Sequence, residues 1–158
     1  MTRSRNWRRR QRGSELVEVS LIAVALFGLT FLLLDVSMVI FLRSTFQHAV
    51  REGARYGITG DAAGGCQDDA IKAVVKKNAI GFLGSPAAAA TIHVHFMNPA
   101  DGTITDNSPG NIIQVSVEAY RYGPLAPYQR VGAPMIWARA YDIIEHFPGA
   151  NACITKSE

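Results

Sequence analysis

Glu18 lies near the start of an apolar run, Leu16 to Leu42, in which the only other charged residue is Asp35. A carboxylate at such a boundary either snorkels to water, takes up a proton, or meets a cation. The preceding residues, Gly13-Ser14-Glu15-Leu16-Val17, suggest a source for that cation. A cut after Gly13 would leave Ser14 with a new α-amine and put Glu18 at the fifth position of the shortened chain. The carboxylate of one copy can then pair with the amine of a neighbour, which offsets the cost of holding either charge close to lipid. Gly13 has no side chain, so a protease can hold the backbone closely there.

Other residues with chemical potential are fewer and more scattered. Cys66 and Cys153 are the only two cysteines. Outside the cytoplasm they can bridge, closing a loop of nearly the whole outer part with about 2–5 kcal/mol of stabilisation. Two unrelated buried thiols are the alternative. His93 and His95, two apart on an alternating segment, lack a compactly spaced third ligand and read as exposed-face residues rather than a metal site. Asp101, Asp106 and Glu118 are accounted for by turns and a solvated strand face. Two of them meeting in an apolar pocket would instead indicate catalysis. The chain has no G-x-S-x-G, HExxH, phosphate-binding glycine loop or C-x-x-C. The expectation is a non-enzyme without cofactor or metal.

These residues must be positioned by a small number of elements. The 27-residue run from Leu16 to Leu42 would rise about 40 Å as a helix, more than the roughly 30 Å of bilayer hydrocarbon. Ser20, Thr30 and Ser37 can bond back to their own helix without breaking it, and Gly28 allows close helix contact. Asp35 faces another helix or lies near the outer boundary. The net charge of +3 is localised: six arginines (3, 5, 8, 9, 10 and 12) and no acid occupy the first thirteen residues. The remainder carries ten basic and thirteen acidic side chains, a net of −3. Arginines beside an apolar span point to retention on the cytoplasmic side rather than to nucleic acid, so the reading is N-terminus in and C-terminus out. The apolar stretch is too long for a conventional signal peptide, and its small residues, Ala23 and Ala25, fall mid-run.

Beyond the span, Phe46, Ala49, Val50, Gly53, Ala54 and Gly57 recur at helical spacing, carrying the helix to about Ile58. Ala49, Gly53 and Gly57 form a small-residue stripe that admits another helix or a sheet. Arg51, Glu52 and Arg55 fall on polar faces. Thr59-Gly60-Asp61 and Gly64-Gly65 end the helix. A second helix is expected from Gln67 to Phe82 with Ile71, Val74, Val75 and Ile80 as its apolar face, stopped by Gly84-Ser85-Pro86. Ala87–Ala90 reads as a loop or frayed turn. Strands follow at 91–97 (Ile92, Val94 and Phe96 inward), 111–120 (Ile113, Val115, Val117 and Ala119 inward) and 135–144. Between the last two, Tyr120, Arg121, Tyr122, Tyr128 and Arg130 offer either a contact patch or ordinary loop packing.

The leader, span and stem together resemble the TadE-like family of minor pilins, or pseudopilins, of the tight-adherence pilus. The family pattern is a short basic leader, a glycine followed by a V-E pair, an apolar helix and an A-x-R-E-G-A-R-Y stem. Here the stem is Ala49-Val50-Arg51-Glu52-Gly53-Ala54-Arg55-Tyr56. The resemblance covers about the first third of the chain. It implies cleavage after Gly13 by a prepilin peptidase, Glu18 as the fifth-position glutamate, and a role in assembling or priming a type IV-like adhesive pilus used in attachment and biofilm growth. The partners implied are that peptidase, other pilin or pseudopilin subunits, the assembly platform and the lipid bilayer, with no nucleic acid. The implied location is the bacterial inner membrane, with incorporation into a pilus open.

The expected fold is α+β: a long N-terminal transmembrane and stem helix with a small pilin-like extracytoplasmic domain containing an antiparallel sheet. Its expected divisions are a basic leader (1–13), the span and stem (14–58) and the outer domain (59–158). TadF- and TadG-like roles share the N-terminal plan. An uncut single-span accessory protein, a DNA-uptake or secretion pseudopilin, and a membrane-anchored enzyme are the other readings.

Overall fold

A computed structural model describes residues 5–59, 65–125, 133–145 and 153, with side chains in the first helix described from residue 13 onward. The leader arginine side chains, Gly60, Asp61, Gly64, Tyr128, Arg130 and Pro148-Gly149 lie outside the described residues.

One helix, α1, runs 54 residues from Arg5 to Ile58. No proline interrupts it, and its polar residues are accommodated as expected. Ser20 Oγ donates to the Leu16 carbonyl at 2.6 Å, Thr30 Oγ1 to Leu26 at 2.8 Å and Ser37 Oγ to Leu33 at 2.8 Å. Such back-bonds keep hydroxyls satisfied where water is scarce. The helix ends as Thr59 caps the Tyr56 carbonyl from its hydroxyl (2.7 Å) and its N–H (3.2 Å). Arg55 in the last turn suits the negative end of the helix dipole.

The chain forms two compact units. The first joins Met1–Met38 to Gly123–Gly132. Its helix exposes Leu16, Val17, Val19, Leu21, Ile22, Val24, Leu26 and further apolar residues to beyond Leu34. It is the one described helix long and apolar enough to cross a membrane.

The second unit comprises Val39–Tyr122 and Ala133–Glu158. Here α1 supplies one apolar face: Leu42, Phe46, Ala49, Val50 and Ala54 are buried. Helix α2 (Gln67–Asn78) has Asp68 and Asp69 in its first turn and Lys76 and Lys77 in its last, complementing the dipole. It stops four residues earlier than its periodicity predicts. The reason lies in the backbone, where Ile80 and Gly81 adopt left-handed φ values of 52° and 83° and cannot continue a right-handed helix. Ile80 is consequently 68% exposed rather than part of the apolar face, and Ala79 and Leu83 fill the core instead. Glycine adopts that conformation without the Cβ clash that costs an L-residue about 1–2 kcal/mol, while losing more entropy on folding. Ile80→Gly is therefore expected to stabilise this unit by about 0.5–1 kcal/mol, read as a rise in denaturant midpoint at unchanged slope.

A one-turn helix, α3 (Pro86–Ala89), occupies the stretch expected as a loop or frayed turn. Ser85 Oγ accepts the Ala88 N–H at 3.2 Å and Pro86 opens the turn, an N-terminal arrangement suited to helix.

Strands β1 (Ile92–Met97), β2 (Ile112–Arg121) and β3 (Met135–Ile143) form an antiparallel sheet in the order β1-β2-β3. Rows such as Ile92–Val117–Ala138 and Val94–Val115–Ala140 cross the inner face. The alternation fails at Ala119, which the sequence places inward. The register shifts between Val117 and Tyr120, with Ala119 at φ 52°. The extra residue of this irregularity moves Tyr120 opposite Ile136. The Tyr120 ring then packs edge-on against Phe46, centroids 4.8 Å apart. Ile144, beyond β3, is buried, and its backbone exchanges bonds with Asn111 and Gly110.

Candidate functional site

Gly13, Ser14 and Glu18 all lie on α1 and all are exposed. Glu18 is one helical turn beyond Ser14, so the two project from the same face, about 6 Å apart along the axis. Side chains on a helix lean toward its N-terminus, which aims the Glu18 carboxylate back toward the turn that holds Ser14. Around it Leu16, Val17, Val19, Leu21 and Ile22 are each more than 60% exposed. The arrangement is a carboxylate set in an open apolar helix surface.

The stem is arranged differently. Gly53, Ala54 and Gly57 are buried, Arg51 and Arg55 are exposed, and Glu52 and Tyr56 are intermediate. The small-residue stripe is covered within the chain. A Cβ at Gly53 would lie 2.5 Å from Val75 Cγ2 and 3.4 Å from Val115 Cγ1, and one at Gly57 would overlap Ile113 Cδ1 and approach Ile71 Cδ1 at 3.0 Å. Both α2 and β2 thus approach the stem backbone. The glycines seat the chain's own sheet and helix, leaving Arg51 and Arg55 on the outside.

Residues 13–55 match the family model described as TadE-like protein. This segment is TadE-like. The match begins at Gly13, includes Glu18, and reaches Arg55 in the stem. No curated protein and no solved structure matched the chain. The TadE-like match over this segment, with one described helix long and apolar enough to cross a membrane, supports a pilin-type membrane accessory role.

Around the TadE-like stem, the second unit is tied together at one end. Cys66 and Cys153 form a disulfide across 87 residues, Cα atoms 4.6 Å apart. The Gln67 N–H donates to the Cys153 carbonyl at 2.8 Å. The fully buried Gln67 side chain donates to the Gly57 carbonyl at 2.7 Å and accepts from Asn107 Nδ2 at 2.6 Å. One amide therefore joins the end of the stem, the start of α2 and the 98–110 turn. Sequence reasoning treated Gln67 only as a helix start.

Several other polar residues are held by local hydrogen bonds, an ion pair or ring contacts. Hydrogen bonds from the Thr103 N–H and hydroxyl hold the exposed Asp101 carboxyl below its ordinary value. The Ser108 hydroxyl, then its N–H, do the same for Asp106. Glu118 pairs with Arg139 at 3.1 Å, and the Arg139 guanidinium lies 5.8 Å from the Trp137 ring centre. The His93 and His95 rings stack in parallel, centroids 6.2 Å apart. Among the described residues, no three His, Cys, Asp or Glu side chains gather as a metal site. Two grooves of about 400 and 500 Å³, near Tyr120 and near His48, are lined without a carboxylate.

The sheet edges are partly blunted, as exposed edges in soluble domains commonly are. Gln47 Nε2 donates to the Arg139 carbonyl of β3 at 2.8 Å, and Met97 of β1 bridges to Ile104. Tyr120 is half-buried and packs on Phe46. Asp35, whose role the sequence left open, is 1% exposed and accepts the Leu125 N–H at 2.8 Å, ninety residues away.

Proposed function

We propose that this chain is a minor-pilin or pseudopilin-like subunit that helps assemble or prime a tight-adherence, type IV-like pilus. The observation that supports it most is the TadE-like match over residues 13–55, a segment that includes Glu18 and most of the stem. In this reading α1 anchors the chain in the inner membrane, with the arginine-rich end cytoplasmic and the second unit outside. A prepilin peptidase cuts between Gly13 and Ser14. Removing the leader frees the helix from its cationic flank and creates the amine.

Glu18 then pairs with the Ser14 amine of a neighbouring subunit. The apolar surface around it lowers the local dielectric, so the pair attracts more strongly than on a wet surface, while each charge left alone is penalised. Within the chain α2 and β2 cover the stem glycines, which supports pairing through the helix surface around Glu18 rather than through the small-residue stripe. Subunit pairing falls to Glu18 and the open helix upstream of Met38. The exposed Arg51 and Arg55 remain available to an acidic neighbour.

Glu18→Ala is expected to reduce surface pili at least tenfold when it replaces the wild-type gene, with membrane levels of the subunit and the unfolding midpoint of the second unit unchanged. Glu18→Asp, a shorter carboxylate, should recover part of the loss. Wild-type piliation in the alanine variant would remove Glu18 from the mechanism.

A further inference from the structure

We infer that the Leu125 segment is a membrane-contacting loop, held at the outer boundary of the bilayer hydrocarbon by Asp35. The inference rests on α1 being a membrane span, as proposed above. Between Glu15 and Asp35 the only charged residue is Glu18. Twenty residues of helix rise about 30 Å, which equals the usual hydrocarbon thickness. A span that keeps Glu15 at one boundary therefore brings Asp35 to the other.

Asp35 is not left to lipid or water there. It is 1% exposed, and Oδ1 accepts the Leu125 N–H at 2.8 Å. Both residues belong to the same compact unit, which joins Met1–Met38 to Gly123–Gly132. A charged acceptor strengthens a backbone hydrogen bond, and a low-dielectric site strengthens it further. The bond fixes the depth of Leu125 relative to the span.

The Leu125 side chain, in contrast, is 65% exposed. Its neighbours Gly123 and Pro124 add no charge, and Pro124 adds no N–H donor. An open leucine at the hydrocarbon boundary gains by entering lipid, with its N–H already satisfied by the carboxylate. The partner this surface fits is the acyl-chain margin of the bilayer. With α1 it gives the chain a second membrane contact, separated from the first by most of the sequence.

The test uses the full chain reconstituted in phosphatidylcholine vesicles. Trp7 and Trp137 are replaced by Phe, and a single tryptophan is placed at residue 125 or 26. Quenching is compared for lipids brominated near the headgroup and near the acyl-chain end. Leu26→Trp reports the span itself, since residue 26 lies mid-run and is 60% exposed. The expected result is quenching of Leu26→Trp mainly by deep bromines and of Leu125→Trp mainly by shallow ones, at least twofold in each case. Adding Asp35→Ala should abolish the shallow quenching of residue 125 and leave that of residue 26 intact. Deep quenching at 26 with none at 125 would overturn the inference while the span stands. Quenching at 125 that persists in Asp35→Ala would overturn the role given to Asp35. No quenching at either position would overturn the span and the inference with it.

Discussion

Replacing Cys66 and Cys153 by serine together is expected to lower the stability of the second unit by about 4 kcal/mol, with about 2–5 kcal/mol as the range for removal of a native bridge. The bridge closes a loop of 87 residues, and the chain-entropy account gives a larger stabilisation for a longer loop. The local structure adds to it. The Gln67 N–H bonds to the Cys153 carbonyl, and the Gln67 side chain holds Gly57 and Asn107. Loss of the bridge frees the residue that organises the base of the stem. Unfolding of the oxidised and serine forms, followed by circular dichroism in denaturant, measures the difference. A change below 1 kcal/mol would show that the bridge constrains little. The same dependence predicts that the unit accumulates only where thiols are oxidised, as the proposed extracytoplasmic location requires.

Phe46→Ala is expected to cost about 3–5 kcal/mol, as large-to-small changes at fully buried aromatic positions do. Phe46 is 0% exposed and supports Tyr120, whose inward position depends on the register shift in β2. Removing the ring empties the stem-to-sheet contact and deprives Tyr120 of its edge-on partner, worth about 0.5–1.5 kcal/mol beyond burial. Phe46→Leu, which retains most of the apolar volume, should cost less than half as much. Equal losses in the two variants would mean that the ring contact, rather than the filled volume, dominates.

Much of this architecture was legible because simple periods control it. The apolar run and the spacing of Phe46, Ala49, Val50 and Ala54 require one long helix with a buried lower face, and the structure has it. Period-two alternation at Ile92, Val94 and Phe96 identified β1 and its inward side. What escaped depends on backbone events or distant pairing. Ala119 continues the alternation perfectly in sequence, yet one extra residue in the ladder removes it from the inner face. Ile80 reads as part of the α2 apolar face, yet it falls five residues past Val75, about 140° round a helix, and two left-handed residues leave it in solvent. Neither carries a sequence sign, since alanine and isoleucine are poor formers of that conformation.

The candidate site divides in the same way. Glu18 and Gly13 stand out through local sequence alone, because a carboxylate in an apolar run is costly wherever the chain places it. The small-residue stripe was legible as a close-approach surface, but whether a neighbouring helix or the chain's own sheet used it required the positions of Val75 and Ile113. The Asp35–Leu125 bond spans ninety residues and pairs a side chain with a backbone amide, for which there is no sequence pattern.

The most direct test of the processed-subunit account is the N-terminal sequence of the protein taken from membranes with and without its prepilin peptidase. The account predicts Ser14 at the terminus only when the peptidase is present, giving Glu18 an amine to meet. An intact leader in both samples would contradict it and leave an uncut membrane anchor.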